Sequence, residues 1–232
     1  MADISIVLLP GMDGTGLLFG PLLRNLGGDV KAVAVSYPPT TPLSYEELLP
    51  LVRSVLPREA PYVLLGESFS GPLAVMLAAE RPPNLKALLL AATFIRNPIR
   101  WIPGRAGALA TPAIFRLSKP FVLAKALMSG HGSRNLMALI NEAHSRVAPA
   151  VMAARARAIL SVNVEAELKA VRAPIFLLRG ASDMVVPRTI SQEIEKARPN
   201  VRSFQIPGPH LVLQANPDQS ASVIRQIVEM VK

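Results

Sequence analysis

Six short, nearly continuous apolar runs recur along the chain: ISIVLLP (4–10), KAVAVSYP (31–38), YVLLGES (62–68), LKALLLAAT (85–93), PIFLLRGAS (174–182) and VRSFQIPG (201–208). Runs of this length that fail to alternate apolar with polar residues read as strands covered on both faces. Between them, segments 44–56, 69–80, 188–198 and 217–231 space their apolar residues at helical intervals. Ser44 and Asp218 stand near the starts of the first and last of these, where a side-chain oxygen caps free amides. Parallel neighbours need a crossover connection, and a helix supplies it. The expected fold is therefore α/β, with about six mainly parallel strands flanked by helices.

Residues 97–171 break this rhythm. They hold no convincing strand, but several helical stretches such as PFVLAKALM and RNLMALINEAHSRV. The reading is a core made of 1–96 and 172–232, with a helical cap, 97–171, inserted after the fourth strand. A chain of 232 residues has room for one such domain but hardly for two.

Composition narrows the classes of function. Half of the residues are apolar and 18% are charged, which favours a packed globule over disorder. The chain has no cysteine, which excludes disulfides, thiolate nucleophiles and cysteine metal sites. MADISIVLLPG lacks a basic leader region, and no apolar run reaches the ~18 residues of a membrane span, so a soluble, cytoplasmic protein is expected. The net charge of +9 is spread over single Lys and Arg residues with few aromatics beside them. That pattern argues against nucleic acid as a partner and does not favour a membrane surface. Oligomeric state is not legible.

GESFSG (66–71) joins the third strand to a helix, and puts Ser68 at the turn. A serine hydroxyl holds its proton at neutral pH, so a nucleophilic Ser68 needs an imidazole base and a carboxylate to orient it. The chain has three histidines. His131 and His144 fall in the insertion, whereas His210 follows the last strand in IPGPHLVLQANP. Asp183, in LLRGASDMVVP, follows the fifth strand. Loops after the carboxyl ends of parallel strands share one edge of the sheet, so Ser68, Asp183 and His210 belong together there. Glu67 adjoins Ser68, but neighbours in a tight turn should point apart, which ranks it low as the triad acid. IVLLPGMDGTG ends the first strand with three glycines, and its backbone can aim the Met12 N–H at a developing oxyanion, with the Phe69 N–H as second donor. The spacing is not that of a dinucleotide fingerprint, and SYPPTT after the second strand has no acidic residue to hold a ribose.

The order Ser68, Asp183, His210, with these loops at matching strand ends, resembles the α/β-hydrolase superfamily over essentially the whole chain. The superfamily commonly has eight strands, the first two antiparallel; this chain starts at the third, and its insertion falls where a cap is usual. PGMDGTG paired with GESFSG is also similar to a branch that includes plant plastid esterases and acyltransferases making fatty-acid phytyl esters. Two positions depart from the pattern. Pro10 stands where many members have the histidine of a His-Gly pair, and Ser70 replaces the second glycine of the elbow.

The resemblance implies a serine hydrolase that cleaves short- to medium-chain carboxylic esters through an acyl-enzyme on Ser68, with no metal or organic cofactor. An acyltransferase with the same triad, or a non-catalytic binding protein of the same fold, are the alternatives. In the cap, Trp101, Phe115, Phe121 and Met128 are candidates to line an acyl pocket. Packing the cap onto the core is the commoner role for such residues.

Overall fold

The structure is a computed structural model, and it describes residues 4–28, 30–99, 110–117, 128 and 133–232. Its centre is a six-stranded, wholly parallel sheet in the order β2-β1-β3-β4-β5-β6. The strands are β1 Ser5–Leu9, β2 Ala32–Ala34, β3 Tyr62–Glu67, β4 Leu85–Ala91, β5 Ile175–Gly180 and β6 Arg202–Ile206. Each expected strand is present, trimmed by one or more residues. The largest trim is in β2, which gives way well before Pro38 and Pro39, although Val35 N–H still donates to Leu8.

The helices are α1 Gly20–Leu26, α2 Tyr45–Val55, α3 Ser70–Ala79, α4 Pro112–Leu117, α5 Arg134–Ser145, α6 Pro149–Ser161, α7 Glu165–Ala170, α8 Arg188–Ala197, α9 Val212–Ala215 and α10 Pro217–Met230. Ser44 caps α2 in a reciprocal capping box with Glu47. Asp218 is not a cap: α10 starts at Pro217, whose fixed φ suits a first helical position, and Asp218 follows in its first turn. The sequence reading placed no helix at α1; Leu22 and Leu26, one turn apart, are buried there.

Alternation along the strands divides the core into two layers. Ile6, Leu8, Val63, Leu65, Leu89 and Leu178 pack with α1 and α10, while Val7, Leu9, Leu64, Leu88, Leu90 and Leu177 pack with α2, α3, α7 and α8. Coverage on both faces holds for the four inner strands. It fails at the edges, where Val33 and most of β6 are exposed. α4 to α7 lie between β4 and β5 in sequence. Among the described residues, no helix is long and apolar enough to cross a membrane.

The chain leaves β1 towards β2 on one side and returns to β3 on the other. The loops after β1 and β3 therefore diverge, and a crevice opens at the carboxyl ends of these two strands.

Candidate active site

Ser68 sits at that crevice between β3 and α3, with φ at +48°, a left-handed conformation that non-glycine residues seldom hold. Both backbone ends of the turn are pinned. Ser68 N–H donates to Ala91 at 2.9 Å, and Thr93 Oγ1 donates to the Ser68 carbonyl at 2.5 Å. The flanking glycines are required by close packing. A Cβ at Gly66 would lie 2.6 Å from the Ser70 carbonyl oxygen, and one at Gly71 would lie 1.9 Å from Thr93 Oγ1.

His210, buried at 2% exposure, puts Nε2 2.9 Å from Ser68 Oγ. Its Nδ1 lies 2.9 Å from Asp183 Oδ2. A carboxylate can only accept there, so the proton sits on Nδ1 and Nε2 keeps a lone pair towards the serine hydroxyl. Asp183 Oδ1 accepts from the amides of Val185 and Val186 at 2.9 and 2.8 Å, which fixes the plane of the carboxylate.

The loop after β1 forms the facing wall. Gly14 N–H donates to Gly11 at 3.0 Å, closing a tight turn with Met12 and Asp13 at its centre. A Cβ at Gly11 would come 3.9 Å from Ser68 Cβ, so this turn lies against the serine. Neither the Met12 nor the Phe69 amide has an acceptor among the described residues. The two departures noted in sequence touch one another: Ser70 Oγ donates to the Pro10 carbonyl and pairs with Tyr37 Oη at 2.7 Å.

Between the walls lies a cavity of about 310 Å³ whose lining is almost wholly apolar. Ser68, His210, Glu67 and Met12 stand on its core side, and Ile140, His144, Met152, Ala156, Ile159 and Leu160 come from α5 and α6. Its size is near the low end for small-molecule sites. A second groove, of about 350 Å³ and lined by Arg172, Arg198 and Arg202 at the start of β5 and β6, lies at the opposite end of the sheet. Of the cap candidates, Trp101 and Phe121 lie outside the described residues, as does His131. Phe115 packs with Val147, Val151 and Met152, and Met128 with Leu18, Leu136 and Ile140; neither lines the cavity.

Glu67 does not turn away from the site, as the turn geometry suggested. It is buried, lines the cavity and accepts from Gln214 Nε2 at 2.8 Å, while Asp183 takes the place beside the imidazole. Burial lifts its carboxyl to about 7, helped by Asp13 and opposed by the Gln214 hydrogen bond and by His210. Burial pulls His144 below its ordinary value. Sequence reasoning also missed Arg155, a buried cap residue that donates to the carbonyls of Met12 and Asp13. The signal was present in MAARARAIL: an arginine falls within the stripe of Met152, Ala156, Ile159 and Leu160.

The profile of the Alpha/beta hydrolase family matches residues 6–223. In sequence, the chain is 34% identical over 105 residues to "Phytyl ester synthase 1, chloroplastic" of Arabidopsis thaliana; the match spans 41% of this chain and 15% of that protein. In structure, it is similar to an enol-lactonase from Burkholderia xenovorans, with TM-score 0.83, 16% identity, and 99% and 92% of the two chains covered. It is equally similar to an esterase from Exiguobacterium antarcticum, with TM-score 0.83, 12% identity, and 99% and 93% covered. Identities this low establish a common fold alone.

Proposed function

The chain belongs to the alpha/beta hydrolase family, and we propose that it is a serine hydrolase acting on small carboxylic esters of short- to medium-chain acids. One observation carries the reading: a hydrogen-bonded chain from Ser68 through His210 to Asp183 opens onto an apolar cavity.

In the proposed reaction His210 Nε2 takes the proton as Ser68 Oγ attacks the ester carbonyl. The Nδ1–H bond to Asp183 keeps the ring in the tautomer that can accept it, and stabilises the positive charge that forms. The free amides of Met12 and Phe69 receive the negative oxygen of the tetrahedral intermediate. Collapse breaks the bond to the alcohol, which leaves with the proton from His210. The acyl-enzyme on Ser68 is then cleaved by water activated in the same way.

The cavity supports an apolar acyl group. Each buried methylene adds about 0.8 kcal/mol of binding until the cavity is full. Release of p-nitrophenol from acetate through decanoate esters tests both parts of the reading. Activity absent in Ser68→Ala, with an optimum chain length, is the expected result. A folded native protein inactive on the whole series would contradict it.

A second reading, acyl transfer to an alcohol, draws on the similarity to phytyl ester synthase. It uses the same acyl-enzyme and differs in the acceptor. Ester products formed in the presence of a long-chain alcohol would favour it; free acid alone would favour hydrolysis.

A further inference from the structure

We propose that Arg155 is a positioning residue that aligns both oxyanion amides and ties their alignment to occupancy of the acyl cavity. The inference rests on the hydrolase reading above and deepens it.

Arg155 is only 2% exposed. Its Nη1 donates to the carbonyls of Met12 and Asp13 at 2.9 and 2.7 Å, and Nη2 donates to that of Pro38 at 3.4 Å. Met12 and Asp13 are the central residues of the turn closed by Gly14 and Gly11, so their carbonyls are held from outside while the turn is closed from within. The Met12 N–H shares its peptide plane with the Gly11 carbonyl, which accepts from Gly14, and Arg155 fixes the next two planes, so the guanidinium holds the turn that aims the Met12 N–H. The guanidinium also lies over the rings of Phe69, at 5.9 Å, and Tyr37, at 5.6 Å. One cation thus touches both residues whose amides would meet the oxyanion.

Stability alone is a poor account of this residue. Among the described residues no carboxylate lies within ion-pair distance of it. The Asp13 charge favours the cation, but burial opposes it more strongly, and a buried charge is often no more stabilising than an apolar side chain of similar volume. The surroundings are nevertheless shaped for it: a Cβ at Gly14 would lie 2.4 Å from Nη1. The residue also rides on α6, whose Met152, Ala156, Ile159 and Leu160 line the cavity. An acyl chain that presses on that face of the helix bears on the Arg155 clamp. Chain-length preference should then be read in kcat as well as in KM.

The test compares Arg155→Met and Arg155→Lys with the native protein on the p-nitrophenyl ester series. It also measures inhibition by an alkyl trifluoromethyl ketone, which forms a hemiketal oxyanion on Ser68, and by the matching methyl ketone, which binds without forming one. Arg155→Met should lower kcat about 10- to 100-fold, short of the ~100- to 1000-fold cost of losing a donor outright. KM should stay within about threefold, since ground-state contacts remain. The trifluoromethyl ketone should weaken by the same factor as kcat and the methyl ketone should not. The dependence of kcat on chain length should flatten. Arg155→Lys, which keeps the charge but not the fork, should fall between. If Arg155→Met fails to fold, the lysine variant decides on the same readouts. Native kcat in a folded variant, equal weakening of both ketones, or an undiminished chain-length dependence of kcat would overturn the proposal. An inactive native protein would instead overturn the hydrolase reading, so the two failures are distinct.

Discussion

On the His210 side of the site, the holding contacts are local. Asp183 is fixed by amides two and three residues further on, and the imidazole needs only that carboxylate to be oriented. On the Gly11–Gly14 side they are long-range: Arg155 reaches from the cap to Met12 across 143 residues, and Ser70 reaches Pro10 across 60. The first arrangement survives changes elsewhere in the chain. The second makes the geometry of the oxyanion loop depend on how the cap is seated. On the proposed reading the reacting groups sit at the sheet edge, while the alignment of the Gly11–Gly14 turn depends on contacts from the helical insertion that lines the cavity.

Substitutions should separate the two sides, beginning with the chemistry common to both. Ser68→Ala should lower kcat by about 10⁴- to 10⁶-fold, in the range known for triad nucleophiles, in a protein of unchanged fold. Asp183→Asn keeps shape but removes the acceptor that sets the tautomer, and should cost about 10³- to 10⁴-fold in kcat with little change in KM. A small loss there would mean that the His210 side is held by more than the carboxylate. Steady-state kinetics on one ester measures both.

Glu67 lies between the two sides, bonded to Gln214 and facing Gly11, and its effect is on stability. Its carboxyl rises from 4.5 unfolded to about 7 folded, so between these values the folded state binds the extra proton. Stability must then fall as pH rises through that window, and the loss is complete above it. Glu67→Gln removes this term and should raise stability at pH 8 by up to about 3 kcal/mol, with no gain at pH 4. Urea unfolding at the two pH values measures it; an equal effect at both would mean that the carboxyl does not titrate differently on folding. Ser70→Ala leaves the Pro10 carbonyl and the Tyr37 hydroxyl buried with a partner lost, and should cost about 1–3 kcal/mol. If the long-range side is as dependent as the contacts suggest, its kcat falls too, whereas an unchanged kcat would show that the loop keeps its shape without this bond.

What the sequence disclosed follows the same division. Strand runs, the elbow, His210 and Asp183 were legible because each is set by short-range pattern: apolar continuity, glycines where backbones meet, and loops that must fall on one sheet edge. The Arg155 clamp and the Glu67–Gln214 pair join distant segments, so no local pattern announces them, although an arginine inside an apolar helical stripe was a visible anomaly. Of the four pocket candidates, the two described ones take the commoner packing role, for a related reason. Phe115 and Met128 are large and apolar, but which side of a helix meets the cavity depends on how helices pack on one another, and the smaller Ala156 and Ile159 face it instead. α1 is a short helix with only Leu22 and Leu26 buried, too brief a pattern to have been singled out, and at β6 an edge position replaced the expected double coverage.

The most direct measurement is reaction of the folded protein with an alkyl fluorophosphonate, followed by mass analysis of its peptides. The phosphonyl group bonds to an activated serine oxygen with loss of fluoride. The account expects stoichiometric labelling of the peptide carrying Ser68, none in Ser68→Ala, and much slower labelling in His210→Ala. A folded native protein left unlabelled, or labelled equally well at another residue, would contradict it.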